Sequence, residues 1–303
     1  MVFFVVNFPV TAETSGGGNP LSPYHFSSAL SAGLVYGQAA EMVYKYPNNE
    51  VPMSQLLWDI RPVFYAASSL EFSRTKPQGR IGFFSQIVLK AGFPSKSGIM
   101  EDRDWIDSNE LTHFSSHNNY TQEALFLDLS AGLSFSLPLR FLVKIYGTFF
   151  YMSYSWVARD GYFKYDAEEA GFGAVLIYSQ KWLILTPGIS LYSPFFSFLG
   201  LALSLQLSPA VFCIAEDDHL LRQIQFMDYI AGGLYFEPRG ELIFFPGKKI
   251  SFSLHVSYRF LKGRGKTYSR SVDNVEFVKT GNYDASGAGY AALDAGLSFR
   301  VNF

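Results

Sequence analysis

The chain has 303 residues, of which 49% are hydrophobic, 17% aromatic and only 17% charged, and its mean hydropathy is +0.10. A formal net charge of −2 provides no basic surface for nucleic acid, and a single cysteine excludes an intrachain disulfide. This hydropathy is high for a soluble enzyme and low for a bundle of membrane-spanning helices, but it suits a barrel in which every second strand residue faces lipid.

Residues 1–20 are predicted to be the remnant of an export signal followed by a flexible leader. A short apolar run occupies 2–6, and Val10 and Ala12 precede Glu13 in the manner of a signal-peptide cleavage site. No basic segment comes before the apolar run, so an ordinary N-terminal tail is the alternative. A glycine-rich stretch, 16–20, then leads to the part that is predicted to form one barrel domain, 21–303.

Alternating apolar and polar residues predict strands along most of the chain. In 125–137 the odd positions are apolar, and in 293–303 apolar residues again alternate with Asp, Gly, Ser, Arg and Asn. The nearly uncharged stretch 183–214 could be assigned to a helix by hydropathy, but three prolines interrupt it and 199–207 alternates as well. A soluble sandwich seldom has such large aliphatic faces on strand after strand, so the pattern favours a membrane barrel.

About ten strands are predicted, near 26–44, 53–72, 80–95, 122–137, 139–158, 173–192, 196–213, 225–245, 249–263 and 287–303. Short connections alternate with long ones at 45–52, 96–121, 159–172, 214–224 and 264–286. The prediction is therefore all-β: a single ten-stranded antiparallel transmembrane β-barrel with short periplasmic turns and long extracellular loops. The alternating last strand ends in Phe303, and such a terminal phenylalanine is typical of bacterial outer-membrane barrels.

The stretch IMEDRDWIDS, 99–108, gathers four carboxylates in the second long loop. Such a run of charge is usually a solvated loop. Asp102 and Asp104 are two residues apart, however, and would face the same way if the strand continued beyond the membrane. Two close carboxylates do not both ionise freely, so the pair could retain a proton and hold a water molecule.

The stretch AEDDH, 215–219, is the second candidate site. It is the one predicted outer loop that places a histidine among carboxylates beside a strand end, and a neighbouring carboxylate orients an imidazole and raises its basicity. Asp217 and His219 opposite an acid pair would be suited to activating water for amide hydrolysis. No covalent nucleophile is indicated, because Cys213 is predicted to face lipid, and no motif supports a metal site.

The sequence resembles the omptin family of bacterial outer-membrane endopeptidases. The similar segments are GQAAEMVY (37–44), SQLLW (54–58), MEDRDWIDS (100–108), YSWVARDG (154–161), EDDH (216–219) and GAG (287–289). Each segment is weak alone, but they occur in the family's order across nearly the whole chain after residue 25.

The resemblance implies a set of roles for individual residues. Asp102 and Asp104 would be the family's aspartate pair, and Asp217 with His219 its Asp–His pair. His219 would act as general base on a water held between the two pairs, and Glu41 would bind a basic side chain in the substrate pocket. Strand parity independently places Glu41 on the lumen face.

Two departures from the family pattern are evident. The family usually has a second pocket acid two residues before the Asp–His aspartate, but Ala215 occupies that position here and weakens the expected Arg/Lys selectivity. The family also binds lipopolysaccharide through outward aromatic, acidic and basic residues. The corresponding positions here hold Phe149, Tyr151 and Ser153, with Lys181 as the remaining base, so the lipopolysaccharide dependence is doubtful.

The sequence therefore predicts a cofactor-free endopeptidase in the bacterial outer membrane, with its active site facing the extracellular side. Its expected partners are peptide or protein substrates at the cell surface and outer-membrane lipid, with no nucleic acid and no obligate protein partner. The main alternative is a non-catalytic outer-membrane barrel that acts as an adhesin or surface structural protein. A channel is disfavoured because ten strands enclose a narrow lumen, and a lipid-modifying enzyme would need an activated Ser or His nucleophile near the membrane.

Overall fold

The computed structural model describes residues 24–45, 51–75, 80–106, 110–164, 168–271, 277–279 and 285–303, so the predicted leader at 1–20 lies outside the described residues. The strands are β1 (Tyr24–Tyr44), β2 (Pro52–Thr75), β3 (Ile81–Gly92), β4 (Ser95–Asp104), β5 (His113–Ser136), β6 (Leu142–Lys164), β7 (Glu168–Phe196), β8 (Leu199–Ser208), β9 (Phe212–His219), β10 (Ile224–Phe244), β11 (Ile250–Ser271), β12 (Val278–Lys279) and β13 (Ser286–Asn302). One short 3-10 segment, Pro138–Arg140, joins β5 to β6.

These strands fill ten positions around a closed antiparallel ring. Strands β3 and β4 share one position because both pair with β2 and β5, and β8 and β9 share another between β7 and β10. The two-residue strand β12 pairs with β11, outside the ring proper. Strand β11 pairs with both β10 and β13, and β13 pairs with β1, which closes the barrel. The predicted ten-stranded barrel is confirmed.

At the end of the barrel opposite the short turns, the strands continue well past their predicted ends. The predicted loop 96–121 was wrong, because β4 continues to Asp104 and β5 starts at His113. The predicted loop 214–224 was also wrong, because β9 continues to His219 and β10 starts at Ile224. Antiparallel pairing persists through both extensions, so the acidic stretches lie on hydrogen-bonded strands instead of loops.

The outward faces form an apolar band around the barrel. Its exposed side chains include Leu30, Phe64, Leu89, Leu129, Ile145, Leu185, Leu203, Leu242, Leu254 and Leu297. Towards the extended end, the first outward charges on their strands are Arg61, Glu123, Lys181 and Lys262, which mark the outer limit of the band. In the described part of the chain, no helix has the length and apolar character needed to cross a bilayer.

The interior contains two distinct zones. Near the outer limit of the band, stacked aromatic side chains cross the lumen, with ring centroids 4.8 Å apart for Tyr154–Trp156 and 5.4 Å apart for Trp58–Tyr178. All four of these residues are fully buried. On the short-turn side of this aromatic layer lies a polar cavity of about 840 Å³. Above the layer, the strand extensions surround the candidate site.

Candidate active site

Strand β9 places Asp217 and His219 on the same inward face, two residues apart. The Nε2 atom of His219 lies 2.6 Å from Oδ2 of Asp217, and Asp217 is 3% exposed. The ring of Phe226 meets the imidazole edge-on at a centroid distance of 5.3 Å. The carboxylate and the aromatic ring together fix the orientation of His219.

Strand β4 carries the acid pair on its inward face because of a bulge at its start. Gly98 has φ +108°, and a Cβ atom there would lie 2.6 Å from Cβ of Asp59. The Oδ2 atom of Asp59 accepts the next backbone N–H, from Ile99, at 3.1 Å. From this anchored bulge the strand runs on with Asp102 and Asp104 at positions of the same parity.

The four carboxylates of 99–108 therefore do not form one cluster. Glu101 lies on the opposite face from Asp102 and pairs with Arg103 at 2.5 Å. Asp107 lies outside the described residues. The outward Glu101 is neutralised by its arginine, while the inward pair has to be accommodated inside the barrel.

The two halves of the site meet across a small cavity of about 40 Å³ that both Asp102 and His219 line. Ser115, His117 and Arg222 provide further polar lining. This volume is sufficient for a water molecule, and several polar groups face it. Asp104 does not line the cavity but lies beside it, close enough for its charge to act on Asp102.

Burial and neighbouring charges tune the two titratable groups of the cavity. Burial is the main factor that raises the pKa of Asp102 to about 7, and the negative charge of Asp104 adds to it. Burial lowers the pKa of His219, but the hydrogen bond and the charge of Asp217 outweigh burial, so that this pKa is raised overall. Near neutral pH the site thus combines a carboxyl group that can hold a proton with an imidazole of increased basicity.

His117 is a site residue that the sequence pattern did not reveal, since it falls within the predicted loop 96–121. Its assignment to a loop was wrong: it lies on β5, is 2% exposed, and neither ring nitrogen has a hydrogen-bond partner among the described residues. Burial lowers its pKa, so His117 is neutral at neutral pH. A bulge between Thr121 and Glu123 reverses the strand's facing, so the alternation in 125–137 could not reveal its orientation.

The predicted lipid-facing orientation of Cys213 was also wrong. Cys213 is fully buried and shares its inward parity with Asp217 and His219. Residues 209–211 do not belong to a strand and separate β8 from β9, and Pro209 is the first of them. A proline cannot donate to the strand ladder, and the irregular residues shift the parity of the strand that follows.

Glu41 lies inside the barrel on β1, beyond the outer limit of the apolar band, and is 4% exposed. Burial raises its pKa, and the charges of Asp217, Asp228 and Asp102 raise it further. Its Oε2 atom has no hydrogen-bond partner among the described residues. Within the same part of the chain, no group of three or more His, Cys, Asp or Glu residues is arranged to hold a metal ion.

Comparisons with known proteins agree with this architecture. The sequence model of the omptin family matches residues 22–301. The plasminogen activator of Yersinia pestis is 25% identical over 300 residues, covering 92% of this chain and 91% of its own length. The crystal structure of the outer membrane protease OmpT from Escherichia coli superposes with a TM-score of 0.79 at 17% identity, covering 93% of this chain and 97% of that one.

Proposed function

Because the chain belongs to the omptin family and is an outer-membrane protease with its active site facing outward, we propose that it hydrolyses peptide bonds with a water molecule held between two residue pairs. The pairs are Asp102 with Asp104, and Asp217 with His219. The observation that carries the proposal is the cavity lined by both Asp102 and His219, whose volume suits one water molecule. Peptides or proteins at the cell surface are the substrates.

The contact between His219 and Asp217 supports the following proton path in this proposal. The Nε2–H group of His219 donates to Asp217, which leaves the Nδ1 lone pair to take a proton from the water as its oxygen attacks the carbonyl carbon. The protonated imidazole then returns this proton to the leaving amine as the carbon–nitrogen bond breaks. Asp102, with Asp104 beside it, positions the water, and its protonated carboxyl group donates a hydrogen bond to the oxygen that develops negative charge.

Substrate selection in this proposal begins with Glu41. Its buried carboxylate has a free acceptor atom and lies near Asp217 inside the same cleft. A buried carboxylate is stabilised by a cationic partner. We therefore infer that Glu41 binds a basic side chain at P1, the residue on the amino side of the cleaved bond.

The proposal is tested by incubating refolded protein with a mixed peptide library and reading the products by mass spectrometry. We expect cuts after Arg or Lys that disappear in both the Asp102→Asn and the His219→Ala variants. A His25→Ala variant is a matched control, because His25 lies at the short-turn end of the barrel. If correctly folded protein makes no cuts, with or without added lipid, the chain is a non-catalytic surface barrel instead.

We also propose that lipopolysaccharide has little effect on activity. On the neighbouring strands β5, β6, β7 and β9, at the outer limit of the apolar band, Ser153 donates to Glu123 at 2.5 Å and Lys181 pairs with Glu216 at 3.3 Å, so on these four strands two acids accompany one base. This arrangement offers little attraction to lipid phosphates.

Adding lipopolysaccharide to lipid-free refolded protein should therefore raise the rate of peptide cleavage by less than about fivefold, because one exposed ion pair contributes about 1 kcal/mol or less. The measurement is the initial rate with and without the lipid, beside a Lys181→Ala variant that should behave alike. A large activation of the parent protein would contradict the proposal, and its loss in Lys181→Ala would show that the lipid acts through Lys181.

A further inference from the structure

Asp228, on β10, is a buried acid to which the mechanism gives no role. It is 3% exposed, and its Oδ1 atom has no hydrogen-bond partner among the described residues. Glu41 is likewise buried, and its Oε2 atom has no hydrogen-bond partner among the described residues. None of the ion pairs found between described residues includes either acid. Two buried carboxylates with unused acceptor atoms are costly unless a cation joins them.

The strand register places Asp228 directly opposite Ala215 of β9. Ala215 has no polar side chain and is 2% exposed, so the adjacent strand supplies the carboxylate at this level of the barrel. On its other side Ala215 is opposite Gln180 of β7. Asp228, Ala215 and Gln180 therefore form one row across three neighbouring strands.

Gln180 connects this row to the strand that carries Glu41. Its Nε2 atom donates to the backbone oxygen of Ala40 at 3.1 Å and to that of Gly289 at 3.2 Å, on β1 and β13. The same atom lies 2.9 Å from the hydroxyl of Tyr178, a fully buried ring of the aromatic layer. The row and Glu41 thus border the same part of the lumen, in contact with the aromatic layer.

The electrostatics agree with this placement. The charge of Asp228 raises the pKa of Glu41, although burial is the larger cause. Burial raises the pKa of Asp228 itself to about 7, and the hydroxyl of Thr267, opposite it on β11, lowers it in part. A bound cation would favour the ionised form of both acids.

We propose that Asp228 is a specificity-determining residue that forms, together with Glu41, a two-carboxylate pocket for the basic P1 side chain, and so replaces the acid missing at position 215. This inference rests on the proposed function and adds the second pocket residue. A guanidinium or ammonium group between the two side chains would use both free acceptor atoms. The departure at Ala215 then does not weaken selectivity for Arg or Lys.

The test measures binding, so that it does not depend on cleavage. A labelled peptide with Arg at P1 and its twin with citrulline, the neutral isostere of arginine, are titrated by fluorescence anisotropy into the His219→Ala variant in detergent. We expect the Arg peptide to bind about 10- to 100-fold more tightly, and Asp228→Asn to reduce this preference by about 10-fold or more, because charge-assisted hydrogen bonds are lost.

Two further variants in the same background complete the design. Adding Ala215→Asp to Asp228→Asn should restore the preference, because a carboxylate returns to the directly opposite position. Asp218→Asn removes the same charge from the outward face of β9 and should leave the preference unchanged. Folding of each variant is checked by its heat-dependent migration in gel electrophoresis.

The outcomes separate this inference from the proposed function. An unchanged preference for Arg in folded Asp228→Asn overturns the inference, even if the parent protein cleaves peptides as proposed. A preference that depends on Asp228, in a protein that cleaves no peptide, supports the pocket and contradicts the protease mechanism. Equal binding of both peptides to the His219→Ala parent overturns the inference as well.

Discussion

Replacing Asp217 by Asn is expected to lower kcat/KM by about 10²- to 10⁴-fold, the usual contribution of a general base held in position. Asp217 does not touch the substrate in the proposed mechanism and acts through His219, which lies 2.6 Å away. The asparagine keeps the shape of the side chain but removes the charge that stabilises the imidazolium. Asp217 is therefore a positioning residue, and its replacement should also change the pH dependence of kcat/KM.

The direction of the pH shift follows from the surroundings of His219. Activity requires the neutral imidazole and decreases as the pH falls through its pKa, which Asp217 raises against the effect of burial. Without the aspartate charge, burial and the positive charge of Arg222 lower this pKa, and the pKa of Asp102 falls as well, since Asp217 raises it too. The acidic limb of the kcat/KM profile should thus move to lower pH.

The measurement is a full pH–rate profile of the parent protein, Asp217→Asn and Asp218→Asn. The last variant removes a carboxylate from the neighbouring outward position and should retain most activity with an unshifted acidic limb. A loss of activity in Asp217→Asn with no shift, or with a shift to higher pH, would show that Asp217 does not act through His219.

Removing Lys90 should destabilise the barrel by about 3 kcal/mol, the lower end of the range for breaking a buried ion pair, because the pair borders a polar cavity. Lys90 pairs with Asp294, which also accepts a hydrogen bond of 2.7 Å from the hydroxyl of Tyr65. The ammonium group lies 4.2 Å from the ring centroid of Phe126. The Lys90→Ala variant leaves the Asp294 charge inside the barrel without this cation.

Urea unfolding in detergent micelles, followed by tryptophan fluorescence, measures the change in the free energy of unfolding. The double variant Lys90→Met/Asp294→Leu should lose less stability than Lys90→Ala, because it removes both charges together. Lys144→Ala is the matched control. The Lys144 side chain is 22% exposed and that of its partner Glu71 is 20% exposed, so a smaller loss of stability is expected. If the double variant is the least stable of the three, the pair itself, and not the cost of an isolated charge, governs the stability.

The sequence predicted the ten barrel positions because lipid on one side and a polar lumen on the other impose a strict two-residue period. It could not predict where that period is interrupted. The bulges at Gly98 and between Thr121 and Glu123 arise from pairing with neighbouring strands, which local composition does not encode. For this reason the orientations of His117 and Cys213 were missed, although Pro209 was a visible signal for the latter.

In the candidate site, too, some features could be predicted from the local sequence and others depend on strand pairing. The parity of Asp102 with Asp104, and of Asp217 with His219, is local and could be read from adjacent residues. The placement of Asp228 opposite Ala215 depends on the β9–β10 register, which only the folded barrel defines. Comparison of the EDDH motif could not reveal Asp228, since this motif lies on β9 and Asp228 lies on the neighbouring strand β10.

The aromatic layer has a consequence for the membrane itself. Trp58, Trp156 and Tyr178 are fully buried and stack across the lumen at centroid distances between 5.4 and 6.1 Å. The layer lies between the small cavity of the site and the polar cavity on the short-turn side. These two cavities share no lining residue, so they are separate spaces inside the barrel. Hydrolysis products must leave on the side from which the substrate entered, and the outer membrane contains a hydrolase that does not form an open channel.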